Sequence, residues 1–192
     1  NVIVLDNKIV DGFAVPGGYI FITKGAVENC KDESELAAVI AHEMGHILRK
    51  HGLQEMTKRS GHIKMDDAFA EMDEALGEKD EETKEVEDDL EDVILSSYEN
   101  VVHQRLLDYE LEADRIAATL LYNTGYDETA IVRLHRRLAT QQSISNDIFD
   151  NNYLKPNDLN LRVGKIAEFI KDNFENNSNG ALCLVRFNNN IK

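Results

Sequence analysis

The sequence predicts an α+β fold that is mainly helical, with a small β-sheet near the N-terminus. Two short apolar stretches come first, and long stretches with helical spacing follow them. At 192 residues and 42% hydrophobic content, the chain is long enough for one domain with a sizeable core. We expect residues 1–192 to form that single domain. Because the chain begins at Asn1 without Met, we also expect it to be a fragment of a longer precursor.

The first predicted elements are two strands, Val2–Leu5 and Tyr19–Thr23. In the second stretch, successive side chains alternate between two faces, as in a strand with one buried side. Pro16, Gly17 and Gly18 between them predict a turn.

The helical part of the chain begins with a capping signal. Asp32, followed three residues later by Glu35, predicts a helix start, and Gly52 predicts its end near His51. Later apolar spacing predicts three more helices and a closing strand, in this order: 93–122, from after Asp127 to about Ala139, 162–174, and the strand 181–187.

Residues 66–92 form an acidic insertion. They contain fifteen Asp and Glu side chains against two Lys, and account for most of the net charge of −15. Such charge density with few apolar anchors predicts a solvated segment rather than core. Its position between two predicted helices also suggests a lid over a cleft.

Charge and hydropathy exclude several partners. The strong negative charge with scattered Lys and Arg argues against nucleic acid and anionic membrane surfaces. No stretch has the roughly 18 apolar residues of a membrane span. Cys30 and Cys183 permit one disulfide, but two small buried side chains are the simpler interpretation.

The strongest chemical signal is the pattern His42-Glu43-Met44-Gly45-His46 within a predicted helix. Histidines four residues apart leave the same helix face, so both can bind one zinc ion. Glu43 then lies beside the metal without binding it, as a general base for a metal-activated water must.

A catalytic zinc needs a third protein ligand, and spacing alone leaves its identity open. The histidine of the extended metzincin motif is absent, since Gly52 occupies that position. Glu110 and Asp114 share one face of a later helix, so one could bind the metal while the other orients a ligand histidine. Glu112 points to another side, and we expect it to be a surface charge.

Three segments in the same order resemble one peptidase family: 13–25, 42–46 and 110–117. Over roughly residues 1–170 the sequence resembles the gluzincin zinc metallopeptidases typified by HtpX, the CAAX prenyl endopeptidase and BepA, in their soluble bacterial branch. The resemblance implies a zincin-like domain whose sheet edge lies beside the active-site helix, and a location in the bacterial cell envelope.

The resemblance also implies roles for individual residues. Glu110 would be the third ligand of one Zn²⁺ per chain, Asp114 would orient a ligand, and Arg162 would assist catalysis. Lys155 stands where the family has a histidine. An extended polypeptide substrate would add to an edge strand over 17–23, and contact Gly17, Gly18, Tyr19, Ile20 and Phe21.

The predicted function is therefore zinc-dependent endopeptidase activity on extended or misfolded proteins. The alternative is a zinc-containing chaperone-like or peptide-binding protein with latent or lost activity. The remaining histidines are left out of the site, as surface or packing residues: His51, His62, His103 and His135.

Overall fold

The computed structural model describes residues 1–60, 81–142, 156–174, 181 and 184–191. Within them the chain forms a small sheet and a larger helical layer, which confirms the predicted mainly helical α+β fold. The elements in chain order are β1 (Val2–Leu5), β2 (Gly12–Val15), β3 (Tyr19–Thr23), α1 (Lys24–Asn29), α2 (Glu33–Arg49), α3 (51–60), α4 (Glu81–Thr124), α5 (Ala130–Gln142), α6 (Pro156–Asn173) and α7 (Leu184–Ile191).

The sheet has the strand order β1-β3-β2. β1 runs parallel to β3, with Val2 opposite Ile20, and β2 runs antiparallel to it, with Phe13 opposite Phe21. The prediction that residues 17–23 form an edge strand is therefore wrong, because β3 is paired on both sides. β2, which the sequence analysis missed, folds back onto β3 and takes that edge.

A glycine turn produces this hairpin. Gly17 and Gly18 have φ values of 104° and 86°, a backbone region that side chains with a Cβ rarely adopt. The predicted turn is confirmed. The same chain reversal places β2, rather than β3, beside α2.

α2 begins where the capping signal predicts. The Asp32 carboxylate accepts a hydrogen bond from the Glu35 N–H at 2.9 Å, and the Glu35 carboxylate accepts one from the Lys31 N–H at 2.8 Å. The helix ends at Arg49, two residues before the predicted end near His51, because Lys50 adopts a left-handed conformation with φ 58°. α3 follows directly.

α4 is longer than predicted, since its backbone is helical from Glu81 and not only from residue 93. The acidic insertion is therefore helical over 81–92, while 66–80 lie outside the described residues. α4 packs on α2, α5 and α6 around a core that includes Ala38, Ala117, Leu121, Ile131 and Ile166.

The predicted closing strand is wrong over 184–187, which belong to α7. Leu184, Phe187 and Ile191 have the three- and four-residue spacing of a helix face, and a seven-residue window was too short to separate the two patterns. Ala181 alone forms a bridge, with Tyr126. None of the described helices is both long and apolar enough to cross a membrane.

Candidate active site

α2 brings two imidazoles together on one face. The Nε2 atoms of His42 and His46 lie 3.1 Å apart, one helical turn from each other. Both rings are largely buried, with side-chain exposures of 12% and 17%. Their paired nitrogens form one side of a candidate metal site.

α4 supplies a carboxylate to the same point. Glu110 Oε2 lies 3.2 Å from His42 Nε2, and Glu110 Oε1 lies 3.3 Å from His46 Nε2. One donor atom from each residue lies within 4.8 Å of the other two, so the group could hold a metal ion. The structure thus brings the three predicted ligands together.

Close packing of α2 against α4 makes this approach feasible. A Cβ added to Gly45 would lie only 3.0 Å from the Ala113 Cα, tighter than ordinary side-chain contacts. Gly45 lies between Glu43 and His46, and Ala113 lies three residues after Glu110. Small residues in both motifs therefore let the helices approach closely enough for Glu110 to reach the imidazoles.

Asp114 lies behind His42, away from the candidate metal position. It is fully buried, and its Oδ1 lies 2.9 Å from His42 Nδ1. Burial disfavours an imidazolium, but the carboxylates of Asp114 and Glu110 outweigh it and raise the pKa of His42 to about 10. A site whose field favours a cationic ring also favours a metal cation.

Arg162 of α6 joins both carboxylates. Its Nε and Nη2 donate to the two Asp114 oxygens at 2.8 Å, and its Nη1 lies 2.9 Å from Glu110 Oε2. Burial alone would raise the pKa of each carboxyl, yet the guanidinium charge helps to hold both pKa values well below their usual range. Arg162 therefore keeps Glu110 and Asp114 ionised.

His135 of α5 was predicted to lie outside the site, yet it adjoins it. Its Nε2 lies 2.9 Å from both Asp114 Oδ1 and Arg162 Nη2, and the residue is 7% exposed. Its position four residues after the buried Ile131 places it on the inner face of α5, and that spacing could have identified it.

His51 was also predicted to lie outside the site. It is 3% exposed, and its Nδ1 lies 3.1 Å from His46 Nδ1. His103 instead contacts Asp158, at 3.3 Å. His62, Lys155 and Cys183 lie outside the described residues.

Glu43 lies on α2 beside the two histidines and is 6% exposed. Burial raises its pKa, which brings the carboxylate closer to the range of an effective general base. A cavity of about 710 Å³ opens in front of it. Glu43, His42, His46, Glu110 and Arg162 all line this cavity.

Comparison with known proteins agrees with this arrangement. The pattern of peptidase family M48 matches residues 1–171, nearly the whole chain. The chain belongs to peptidase family M48. This assignment confirms the predicted family resemblance and the predicted class of enzyme, a metallopeptidase.

Individual M48 relatives are similar over part of their length. The mitochondrial metalloendopeptidase OMA1 of Arabidopsis thaliana is 28% identical over 137 residues, which is 71% of this chain and 25% of that protein. OMA1 of Schizosaccharomyces pombe is 36% identical over 53 residues, covering 28% and 16%. The beta-barrel assembly-enhancing protease of Yersinia pestis is 24% identical over 137 residues, covering 71% and 28%. The chain therefore spans only 16% to 28% of the length of these relatives.

Proposed function

We propose that this chain is a zinc-dependent endopeptidase acting on extended polypeptides. One observation carries the proposal: two imidazole nitrogens and a carboxylate converge within 4.8 Å beside the buried Glu43, in a chain of family M48. Membership supports metallopeptidase chemistry, and the geometry supports the assignment of each residue.

The donor set suits zinc. Two histidines and one glutamate are a common protein ligand set for catalytic zinc, which keeps one position for water. His42, His46 and Glu110 would hold the ion. When bound, it lowers the pKa of its water toward about 7 and polarises a substrate carbonyl.

Glu43 supplies the proton transfers in this proposal. It is placed to accept a proton from the attacking water and to return it to the departing amine. Its buried position raises its pKa and limits competition from bulk water. Asp114 and Arg162 keep His42 and Glu110 in position rather than contact the substrate.

The substrate strand is reassigned from β3 to the edge strand β2. The Thr23 N–H donates to the Asp11 carbonyl, so Asp11 is hydrogen-bonded to β3. In an antiparallel pair, hydrogen-bonded residues alternate with residues whose backbone groups face away from the partner strand. The backbone N–H and C=O groups of Gly12 and Ala14 therefore point away from β3. A Cβ on Gly12 would lie 3.5 Å from Glu43 Oε1, which places this edge beside the proposed base. An extended chain could pair with β2 through backbone hydrogen bonds.

This binding mode favours extended or misfolded chains over one side-chain sequence. Asp11 modifies the edge, because its Oδ1 accepts from the Gly12 N–H at 2.8 Å. Ala14 would then provide the main pairing position. A location in the bacterial cell envelope remains part of this proposal, and it comes from the family resemblance.

The test compares purified wild type with Glu43→Gln and His46→Ala, measuring zinc per chain and casein hydrolysis. Glu43→Gln should keep one zinc and lose about 10²- to 10⁴-fold in kcat/KM, since only the base is removed. His46→Ala should lose both zinc and activity. Glu28→Gln on α1, where the side chain is 58% exposed, is the matched control and should behave as wild type.

Other outcomes would overturn the proposal. A wild type that holds zinc and peptide but never cleaves would favour the chaperone-like alternative. Hydrolysis that persists in Glu43→Gln would remove Glu43 from its role.

A further inference from the structure

We propose that His51 and Glu112 position His46 for the metal through a chain of two hydrogen bonds. The inference rests on the metal site of the proposed function, and gives a role to two residues that were predicted to lie outside that site.

The two hydrogen bonds link His46, His51 and Glu112 without a gap, and His51 at the centre is buried. His51 Nδ1 lies 3.1 Å from His46 Nδ1, and His51 Nε2 lies 3.1 Å from Glu112 Oε2. The His51 ring stacks on Tyr109, with centroids 4.3 Å apart. The left-handed turn at Lys50 is what directs His51 back toward α2. The ring is thus fixed by both its edges and one face.

The proton positions follow from the ligand geometry. His46 faces Glu110 and His42 through Nε2, so its Nδ1 carries the hydrogen. That N–H can donate only if His51 Nδ1 accepts. His51 then carries its hydrogen on Nε2 and donates it to the Glu112 carboxylate.

The surroundings of His51 agree with this arrangement. The residue is 3% exposed, so its two ring nitrogens meet His46 and Glu112 rather than solvent. Glu112 is held in turn by Arg49, whose Nη2 lies 2.6 Å from Glu112 Oε1. The series of contacts from His46 through His51 therefore ends at the Glu112 carboxylate, which is paired with Arg49.

The two ligand histidines are consequently held in different ways. His42 contacts the carboxylate of Asp114 directly, at 2.9 Å. His46 reaches a carboxylate only through the imidazole of His51. Glu110, Glu112 and Asp114 lie on one stretch of α4, which thus contributes one ligand and an anchor for each of the other two.

The test is zinc affinity, measured by competition with a chromogenic chelator, beside thermal unfolding of the metal-free protein. His51→Ala should weaken zinc binding about 10- to 100-fold, the usual effect of removing a partner of a ligand histidine. His51→Asn should recover much of this loss, because its amide oxygen can accept near the position of Nδ1. His103→Ala on α4 removes another histidine–carboxylate contact and should leave zinc affinity unchanged.

The pair also predicts non-additivity. Glu112→Ala should weaken zinc binding less than His51→Ala, and the double variant should be no worse than His51→Ala alone, because Glu112 acts through His51. If His51→Ala fails to fold, Glu112→Ala and His51→Asn carry the test.

Unchanged zinc affinity in these variants would overturn the inference. So would equal losses of zinc affinity in His51→Ala and His51→Asn, if those losses matched the loss of stability in the metal-free protein. Additive losses would also overturn it. These results are distinct from failure of the proposed function, which would appear as absence of zinc from the wild type.

Discussion

At the scale of single residues, Arg162 shows how one cation organises the site. It is 3% exposed and contacts both Asp114 and Glu110. A buried guanidinium with two carboxylate partners is expensive to disturb, because either carboxylate left alone would be a buried, uncompensated charge. The family resemblance gave Arg162 a catalytic role, and its contacts favour a positioning role.

We predict that Arg162→Lys lowers the free energy of unfolding of the metal-free protein by roughly 1 to 3 kcal/mol, because the charge remains but buried carboxylate oxygens lose hydrogen bonds. Lysine cannot reproduce the paired donation to Asp114 while also reaching Glu110. Urea unfolding of the metal-free protein would measure the loss, and zinc affinity should fall with it. If kcat alone fell, with stability and zinc affinity unchanged, Arg162 would act on the transition state instead.

Residue types and spacing identified the candidate ligands without a structure. His42 and His46 follow from one helix turn, and Glu110 from the family motif. His51 and His135 were missed for different reasons. The position of His51 depends on the left-handed conformation of Lys50, which the residue types at this point of the sequence do not predict. The spacing of His135 to Ile131 could have assigned it to the inner face of α5, but its contact with Asp114 depends on tertiary packing.

At the scale of elements, the α2–α4 contact determines whether the ligands meet. Gly45 and Ala113 bring the helices together, and Glu110 follows on the adjacent turn. Glycine within a helix usually costs about 1 kcal/mol relative to alanine. Close packing at this position explains why that cost is tolerated.

We predict opposite effects for alanine at two helical glycines. Gly45→Ala should weaken zinc binding and gain no stability, since overpacking costs about 1 to 3 kcal/mol and exceeds the gain in helix propensity. Gly164→Ala in α6, where an added Cβ meets nothing within 4 Å, should leave zinc affinity unchanged and raise the Tm. Chelator competition and thermal unfolding would measure both. Equal behaviour of the two variants would contradict the packing argument.

The contact between α3 and α4 is expected to depend on pH. Glu55 accepts two hydrogen bonds from Arg105, at 2.9 and 3.0 Å, and these bonds lower its pKa. A carboxyl with a lowered pKa in the folded protein stabilises it above the unfolded pKa of about 4.3, and this stabilisation is lost as pH falls toward the folded value.

We therefore expect Glu55→Gln to lower the free energy of unfolding by about 1 kcal/mol near neutral pH. The difference from wild type should shrink at about pH 3.5, where the unfolded carboxyl is largely protonated. Urea unfolding at both pH values would measure it. A loss of equal size at both would show that the ion pair is not responsible.

Local sequence patterns predicted individual helices and strands better than they predicted how the strands pair. The capping residue Asp32 predicted the start of α2, an apolar run predicted β1, and alternation predicted β3. β2 was missed because it begins with Gly12 and has only three apolar residues in a row, which show no alternation. Sheet order depends on where the glycine turn sends the chain, so it required the structure.

At the scale of the whole molecule, the charge of −15 should influence which substrates approach. Long-range repulsion reduces the encounter rate of acidic chains and increases that of basic ones. This effect is separate from binding at β2, which concerns the backbone.

We predict that kcat/KM for a peptide flanked by Lys exceeds that for the same peptide flanked by Glu, on the order of tenfold at low salt. The ratio should approach one near 1 M salt, where the screening length is only about 3 Å. Initial rates across a salt series would measure it. A ratio that is independent of salt would indicate direct contacts instead.

The shortness of β2 has a consequence for what this peptidase could tolerate in its surroundings. An exposed strand edge can join any neighbouring strand, including that of another copy, and long edges promote aggregation. Four residues offer too few backbone bonds to hold such a neighbour for long. In the proposed binding mode, the short length of β2 also makes each encounter with a folded protein transient. Substrates are then selected by whether they can expose a short unpaired stretch of backbone.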